Sequence, residues 1–315
     1  MCSTLRIVES SLDTYRNFYE RSPAVNRLLF NSPEFLSYRD PNPITFLEWR
    51  SHNDTFAQSA CWIKSTPNGG TSIVIPGGAS FGGPISQRRL RLGDYANLLG
   101  ALVEYSRLRG YSQIEWTPPV PHHWDDCDEE AEFAAVSQGF RIEIAGLESV
   151  VTLPIHHNSK FNNLLRRCQR EGIEYIGDIE LDDFYPTLEH VYARHQTQPT
   201  HTKAELMLLK SRFPLDIRFV GAVKGNELVA TACLFRISPV SDLVFYMCTV
   251  DMYKKYNPML ILIYEDMHRA NKEGCTFYNF GTSSIGLELR DNVLKFKQQF
   301  GARGFIRRRF IWLSN

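Results

Sequence analysis

The sequence predicts an α+β protein built as two similar halves. Three observations carry that prediction. β-branched and aromatic runs bounded by turn signals alternate with amphipathic stretches of helical period. The order helices, hairpin strands, strand, helix, strand occurs twice, in stretches of about 150 residues, although no sequence identity marks a repeat. A chain of 315 residues also exceeds what one compact core usually spans, so two domains are the natural expectation.

In the first half, residues 11–38 hold helical stretches ending at Ser32-Pro-Glu-Phe-Leu, where Ser32 caps and Pro33 opens a short helix. Residues 44–50, 55–64 and 71–75 read as strands, divided by Ser51-His-Asn-Asp54 and Pro67-Asn-Gly-Gly70. The glycine-rich segment 76–84 follows. Glycines permit positive φ and close backbone approach, so Ser80, Phe81, Gly82 and Gly83 either line a substrate site or turn a corner. A helix over 92–109 stops at Gly110, a strand over 112–117 ends at Pro118-Pro119, and 131–137 forms a short helix.

The second half opens near Leu147 with a strand over 148–153. Helices follow over about 158–171 and 183–195, and a third begins after Thr202. Strands over 217–223 and 227–237 flank the turn Lys224-Gly-Asn226, and a strand over 243–250 continues the sheet. After polar 251–256, Asn257-Pro258 signals a helix start, with Asn257 as N-cap. Leu260, Ile263, Tyr264, Met267 and Ala270 recur at helical spacing until Gly274. A strand over 275–280 leads into Gly281-Thr-Ser-Ser284, and after a polar link comes Leu294-Lys-Phe-Lys-Gln-Gln-Phe-Gly301.

Chemistry gathers at these last junctions. A helix N-terminus at the end of a strand offers unpaired N–H groups to an anion, so a phosphate-bearing donor is expected there. The donor-binding candidates are Val250, Lys254, Lys255, Tyr256, Asn257, Met259, Gly281, Thr282 and Ser283. Lys297, a lysine between Phe296 and Phe300, is expected to project into a cleft and meet an oxyanion or a phosphate; the competing reading is a solvated lysine on an amphipathic helix. Tyr256 is a candidate hydroxyl donor.

Other classes are excluded or set aside. Lys+Arg and Asp+Glu both number 35, which leaves no global field to attract DNA. Seven scattered cysteines, several inside apolar runs, read as reduced residues of a cytoplasmic protein. No run reaches the ~18 apolar residues of a membrane span, and the N-terminus lacks a secretory h-region. His122, His123 and Cys127 stand beside Asp125, Asp126 and Asp128, but no second pair follows at zinc-like spacing, so no metal is expected. His195, in an inter-helix loop, and Arg166 and Arg167, on a helix, are candidate substrate contacts, with ordinary surface roles as the alternative.

Tyr256-Asn-Pro258, Phe280-Gly-Thr-Ser283 and Phe296-Lys-Gln-Gln-Phe-Gly301 stand in the order and spacing of a known family. So do Ser80-Phe-Gly-Gly-Pro-Ile85 and the stretch FNNLLRRCQREG over 161–172. The chain from about Asn31 to its end resembles the FemAB-like or BioF2-like branch of the GNAT acyltransferase superfamily. The resemblance implies a tandem of two GNAT-like domains, each a mixed, mostly antiparallel sheet flanked by helices. The boundaries are 1–146, completed by a returning strand within 305–315, and 147–304, which carries the donor site. It also implies that Lys297 lies near the donor. In that branch a first-domain strand often ends in an acid before proline; here Thr117-Pro118 stands there, with Glu115 two residues earlier. Glu115 and Asp251 are therefore the candidate bases. The glycine-rich Arg/Gln-x-x-Gly-x-Gly/Ala loop of many acetyltransferases is absent, and Lys254-Lys-Tyr-Asn-Pro-Met259 takes its place.

The leading expectation is an N-acyltransferase moving an acyl group from acyl-CoA to a primary amine of a small acceptor, an amino sugar or amino acid. One alternative is an aminoacyl-tRNA-dependent Fem-like transferase acting on a peptidoglycan-type precursor. Another is a catalytically silent GNAT-fold ligand-binding protein.

Overall fold

A computed structural model describes residues 5–39, 43–52, 54–124, 128–156 and 159–314. The chain divides into two compact units, Met1–Gly146 with Ile306–Asn315, and Leu147–Phe305. Cys2, Asp125, Asp126 and Cys127 lie outside the described residues.

Unit 1 runs β1 (Arg6–Ser10), α1 (Leu12–Arg21), α2 (Pro33–Leu36), β2 (Thr45–Ser51), β3 (Asp54–Ser65), β4 (Thr71–Ile75), α3 (Leu92–Leu108), β5 (Gln113–Trp116) and α4 (Glu130–Ser137), then enters β6 (Arg141–Thr152). The helix starts follow local chemistry: Ser11 accepts from the Thr14 N–H, and Ser32 from the Phe35 N–H at 3.0 Å. Unit 2 continues with α5 (Ser159–Arg170), β7 (Ile173–Ile176), α6 (Leu181–Arg194), α7 (Lys203–Arg212), β8 (Ile217–Lys224), β9 (Glu227–Ser238), β10 (Ser241–Thr249), α8 (Pro258–Lys272), β11 (Phe277–Thr282), the hairpin β12 (Ser284–Ile285) and β13 (Glu288–Leu289) and α9 (Asp291–Gln298), and the chain returns to unit 1 along β14 (Arg303–Leu313). Thr202 and Glu205 close a reciprocal capping box on α7.

Unit 1 orders its strands β1-β2-β3-β4-β5-β14, and unit 2 orders its own β6-β11-β10-β9-β8-β7. Each run is antiparallel except for one parallel pair across a helical crossover, β4·β5 in unit 1 and β10·β11 in unit 2. In unit 1 the core gathers Trp49, Leu98, Leu102, Ile114, Trp116 and Phe310. The unit 2 core gathers Phe161, Val220, Leu262, Met267, Tyr278 and Phe300.

Several expectations change. β1 and β7 are strands that the sequence does not announce, because each is short and half-exposed. The strand expected over 148–153 is the end of a longer one, β6. The polar link after Ser284 is a small hairpin, and the segment 294–301 lies mostly on α9. Asn257 does not cap α8 through its side chain; it sits in the left-handed region (φ 52°, ψ 48°), and Pro258 opens the helix.

Candidate functional site

The candidate site grows from the parallel pair of unit 2. β10 and β11 pair at Ser241↔Phe277, Asp242↔Tyr278 and Leu243↔Asn279, and no further. Beyond that point β10 stays with β9 and β11 stays with β6. β10 also carries an extra residue, Phe245, against the step from Leu234 to Cys233 on β9, which is a β-bulge at the start of the parting. A parting next to a bulge frees backbone N–H and C=O groups that the ladder would otherwise occupy. Gly281 turns β11 away with φ +68°, a conformation glycine adopts without strain.

Lys297 reaches this turn from α9. It is 1% exposed and donates to the carbonyls of Gly281 (3.0 Å) and Thr282 (2.7 Å). The expectation of a lysine projecting into an open cleft is therefore corrected: Phe300 packs into the unit 2 core, Phe296 packs against that core, and the ammonium is drawn inside with them. Burial pushes its pKa down to about 8, Glu148 opposes the shift, and Arg290 adds to it.

Around Lys297 lies a buried polar group that sequence reasoning missed in part. Glu148 accepts from the Asn279 amide at 2.6 Å, Asn279 accepts from the Gly281 N–H at 2.7 Å, and Ser149 and Ser283 share a 2.7 Å hydrogen bond. All four side chains are 2% exposed or less. The Ser283 N–H also donates to the Leu147 carbonyl at 2.6 Å. The available signal was polar residues inside apolar strands: Asn279 between Tyr278 and Phe280, and Glu148 with Ser149 before Val150.

At the opening of α8, Asp251–Tyr256 form a short 3-10 turn. Asp251 pairs with Arg194 and with Lys254 (2.6 Å), and these partners, Arg194 first, hold its carboxyl well below the usual range. That makes Asp251 an ion-pair anchor and a poor base, which corrects its candidacy. Lys254 is tied to that pair, and Lys255 lies over the Tyr256 ring, 4.9 Å from its centroid, with Lys224 at 4.5 Å. Met259 buries its side chain in the core, and the Val250 N–H is taken by Val229. Arg166 and Arg167 are exposed on α5, and His195 is exposed just past α6.

In unit 1 the glycine-rich segment turns inward. Phe81 is 2% exposed and stacks on His123 with ring centroids 4.7 Å apart. The Gly82 carbonyl accepts from the Trp116 indole at 2.9 Å, and Gly83 donates to Asn31 Oδ1 at 3.3 Å. A Cβ on Gly82 would meet Asn31 Oδ1 at 2.5 Å. Phe81, Gly82 and Gly83 therefore take the corner-turning reading rather than the site-lining one, while Ser80 gives its carbonyl to Arg307. Glu115 accepts from Gln113 at 2.8 Å on β5. Among the described residues no group of His, Cys, Asp and Glu side chains is arranged to hold a metal ion, and no helix is long and apolar enough to cross a membrane. The described cysteines are buried free thiols.

Residues 189–309 match the model of the FemAB family. The crystal structure of FemX is similar to this chain with a TM-score of 0.71, at 11% identity, covering 98% of each chain. L-PGS from Bacillus licheniformis gives 0.62 at 12% identity, covering 98% of this chain and 93% of its own. A tandem GNAT protein from the clavulanic acid biosynthesis pathway gives 0.53 at 13%, covering 99% of each. A search of curated protein sequences returns no match. The fold is thus the tandem GNAT fold, α+β with mixed sheets flanked by helices. Residues 189–309 are thus FemAB-like, and the structures similar to the chain share its fold.

Proposed function

We propose that the protein transfers an acyl or aminoacyl group from an activated ester or thioester to a primary amine, with the donor carbonyl held in the parting of β10 and β11. The observation that carries this reading is the conjunction of that parting, the bulge at Phe245 and the Lys297 ammonium on the Gly281 turn. The amine nitrogen attacks the carbonyl carbon, the oxygen takes the electron pair, and collapse expels the donor's oxygen or sulfur, which leaves with the proton the amine gives up. N–H groups freed at the bulge support the oxyanion. Lys297 has three N–H donors and two carbonyls take two of them, so its charge and its third donor serve the same end.

One observation bears on the donor. Pro258 removes an N–H from the first turn of α8, which leaves one donor fewer for the pyrophosphate of a coenzyme. This shifts weight from the acyl-CoA expected from sequence toward an aminoacyl-tRNA donor of the Fem-like kind, whose ester needs no diphosphate cradle. Exposed Arg166 and Arg167 are then candidate phosphate contacts.

The test is a thermal-shift screen with coenzyme A, acetyl-CoA and charged tRNA, followed by mass detection of an acylated amine. Stabilisation by charged tRNA that falls steeply with added salt supports the aminoacyl reading, and stabilisation by acetyl-CoA restores the acyl-CoA one. No stabilisation by any donor leaves a silent ligand-binding protein and ends the proposal.

A further inference from the structure

We infer that Glu148 and Asn279 are positioning residues of the unit 2 site: together they hold the Gly281 turn, and through it the Lys297 ammonium, in the geometry that transfer requires. The inference rests on the proposed transfer only for what the ammonium does to substrate.

Asn279 uses both ends of its amide. The Gly281 N–H can only donate, so the Asn279 atom 2.7 Å from it is the oxygen, and the NH2 end faces the Glu148 carboxylate at 2.6 Å. Lys297 grips the same turn from its carbonyl side, at Gly281 and Thr282. The Gly281 residue is therefore held by its N–H and its C=O at once, by two side chains that are themselves buried. Glu148 stands opposite Thr282 in the β6·β11 register, across the register shift that follows Asn279. An amide clamp explains why a buried asparagine stands among Phe277, Tyr278 and Phe280 on β11.

The clamp also sets charge. A carboxylate that is 2% exposed is costly unless matched, and Lys297 is a buried cation within its field. The charged groups that act on Lys297 are Glu148 from β6 and Arg290 at the start of α9; the first favours the ammonium and the second opposes it. Removing the Glu148 charge while keeping its hydrogen bond should thus change the proton affinity of Lys297 without changing the packing.

The test is a titration that needs no substrate. Full-length protein carrying lysine labelled with 13C at Cε is titrated by NMR, with Lys297→Arg identifying the resonance. Glu148→Gln retains an acceptor for Asn279, and its Lys297 midpoint is expected to fall by about one pH unit, a tenfold loss of proton affinity. Asn279→Ser touches no charge and releases the turn; the midpoint is expected to rise toward the ordinary value of 10.5 as water enters. If Glu148→Gln does not fold, the Asn279→Ser titration decides alone. A midpoint unmoved in the variants that fold reduces both residues to packing and overturns the inference. Because the readout is proton binding in the free protein, a donor screen that fails leaves it standing, and a flat titration leaves the transfer reading standing.

Discussion

The two parallel pairs differ where it matters. In unit 1, β4 and β5 pair from Ser72↔Gln113 through Ile75↔Trp116, and the Thr117 N–H extends the contact to the Ile75 carbonyl. The chain then fills its own gap: Gly82 donates to the Thr117 carbonyl, and Phe81 enters the interior. In unit 2, β10 and β11 separate after three pairs, Phe245 bulges, and the turn at Gly281 is held open by buried polar groups. One topology therefore yields two junctions, one filled by the chain's own backbone and one held by buried polar side chains. In unit 2 side chains take up the backbone at the parting, Asn279 on the Gly281 N–H and Lys297 on the Gly281 and Thr282 carbonyls.

The largest effect should come from the unit 2 junction. Lys297→Ala is expected to lower turnover about a hundredfold, on the order of 3 kcal/mol of transition-state stabilisation, with circular dichroism unchanged. Unaltered turnover would assign Lys297 to folding alone. In the unit 1 junction the same scale of effect should appear in stability instead. Gly82→Ala places a Cβ 2.5 Å from Asn31 Oδ1 and 3.1 Å from Pro76, so it should destabilise by about 1–3 kcal/mol in urea while leaving donor-induced stabilisation intact. Loss of donor binding without loss of stability would move the site into unit 1.

The pH responses sharpen the contrast, because activity and stability move in opposite directions. Lys297 must be protonated to act, so activity should be present at neutral pH and decline as pH rises through about 8. Its folded pKa lies below the ordinary 10.5, so between those values the unfolded chain binds more protons and the Lys297 contribution to stability rises with pH. The stability of wild type minus that of Lys297→Met should rise by on the order of 2–3 kcal/mol from pH 8 to 10.5. A signed value that is flat or falls with pH would contradict the buried ammonium.

The smallest effect is expected at Asp251. Arg194 and Lys254 occupy its carboxylate, so Asp251→Asn should keep turnover within about threefold, whereas a true base would lose orders of magnitude.

Much of the architecture was readable because period and capping act locally. The crossover from β10 through α8 to β11, the Thr202 start of α7 and the Ser32 start of α2 all follow from residues adjacent in sequence. What was hidden depends on contacts distant in sequence. A glycine-rich run looks the same whether it approaches a ligand or packs against Trp116 and Asn31, and only the fold separates the two. Lys297 between phenylalanines reads as a cleft or surface lysine, because the carbonyls that receive it inside lie 15 and 16 residues away. Glu148 and Asn279 are 131 residues apart, so neither announces the other. Asp251 looked like a free acid because its partner Arg194 is 57 residues upstream.

Hydrogen exchange on the full-length protein, with and without the donor that stabilises it, tests most directly where the donor rests. Protection is expected at the amides of Phe245 to Cys248 and of Gly281 to Ser283, with no change at Ile75 to Gly83. Protection confined to Ile75 to Gly83, or absent from β10 and β11, would contradict the assignment of the transfer site to the parting in unit 2.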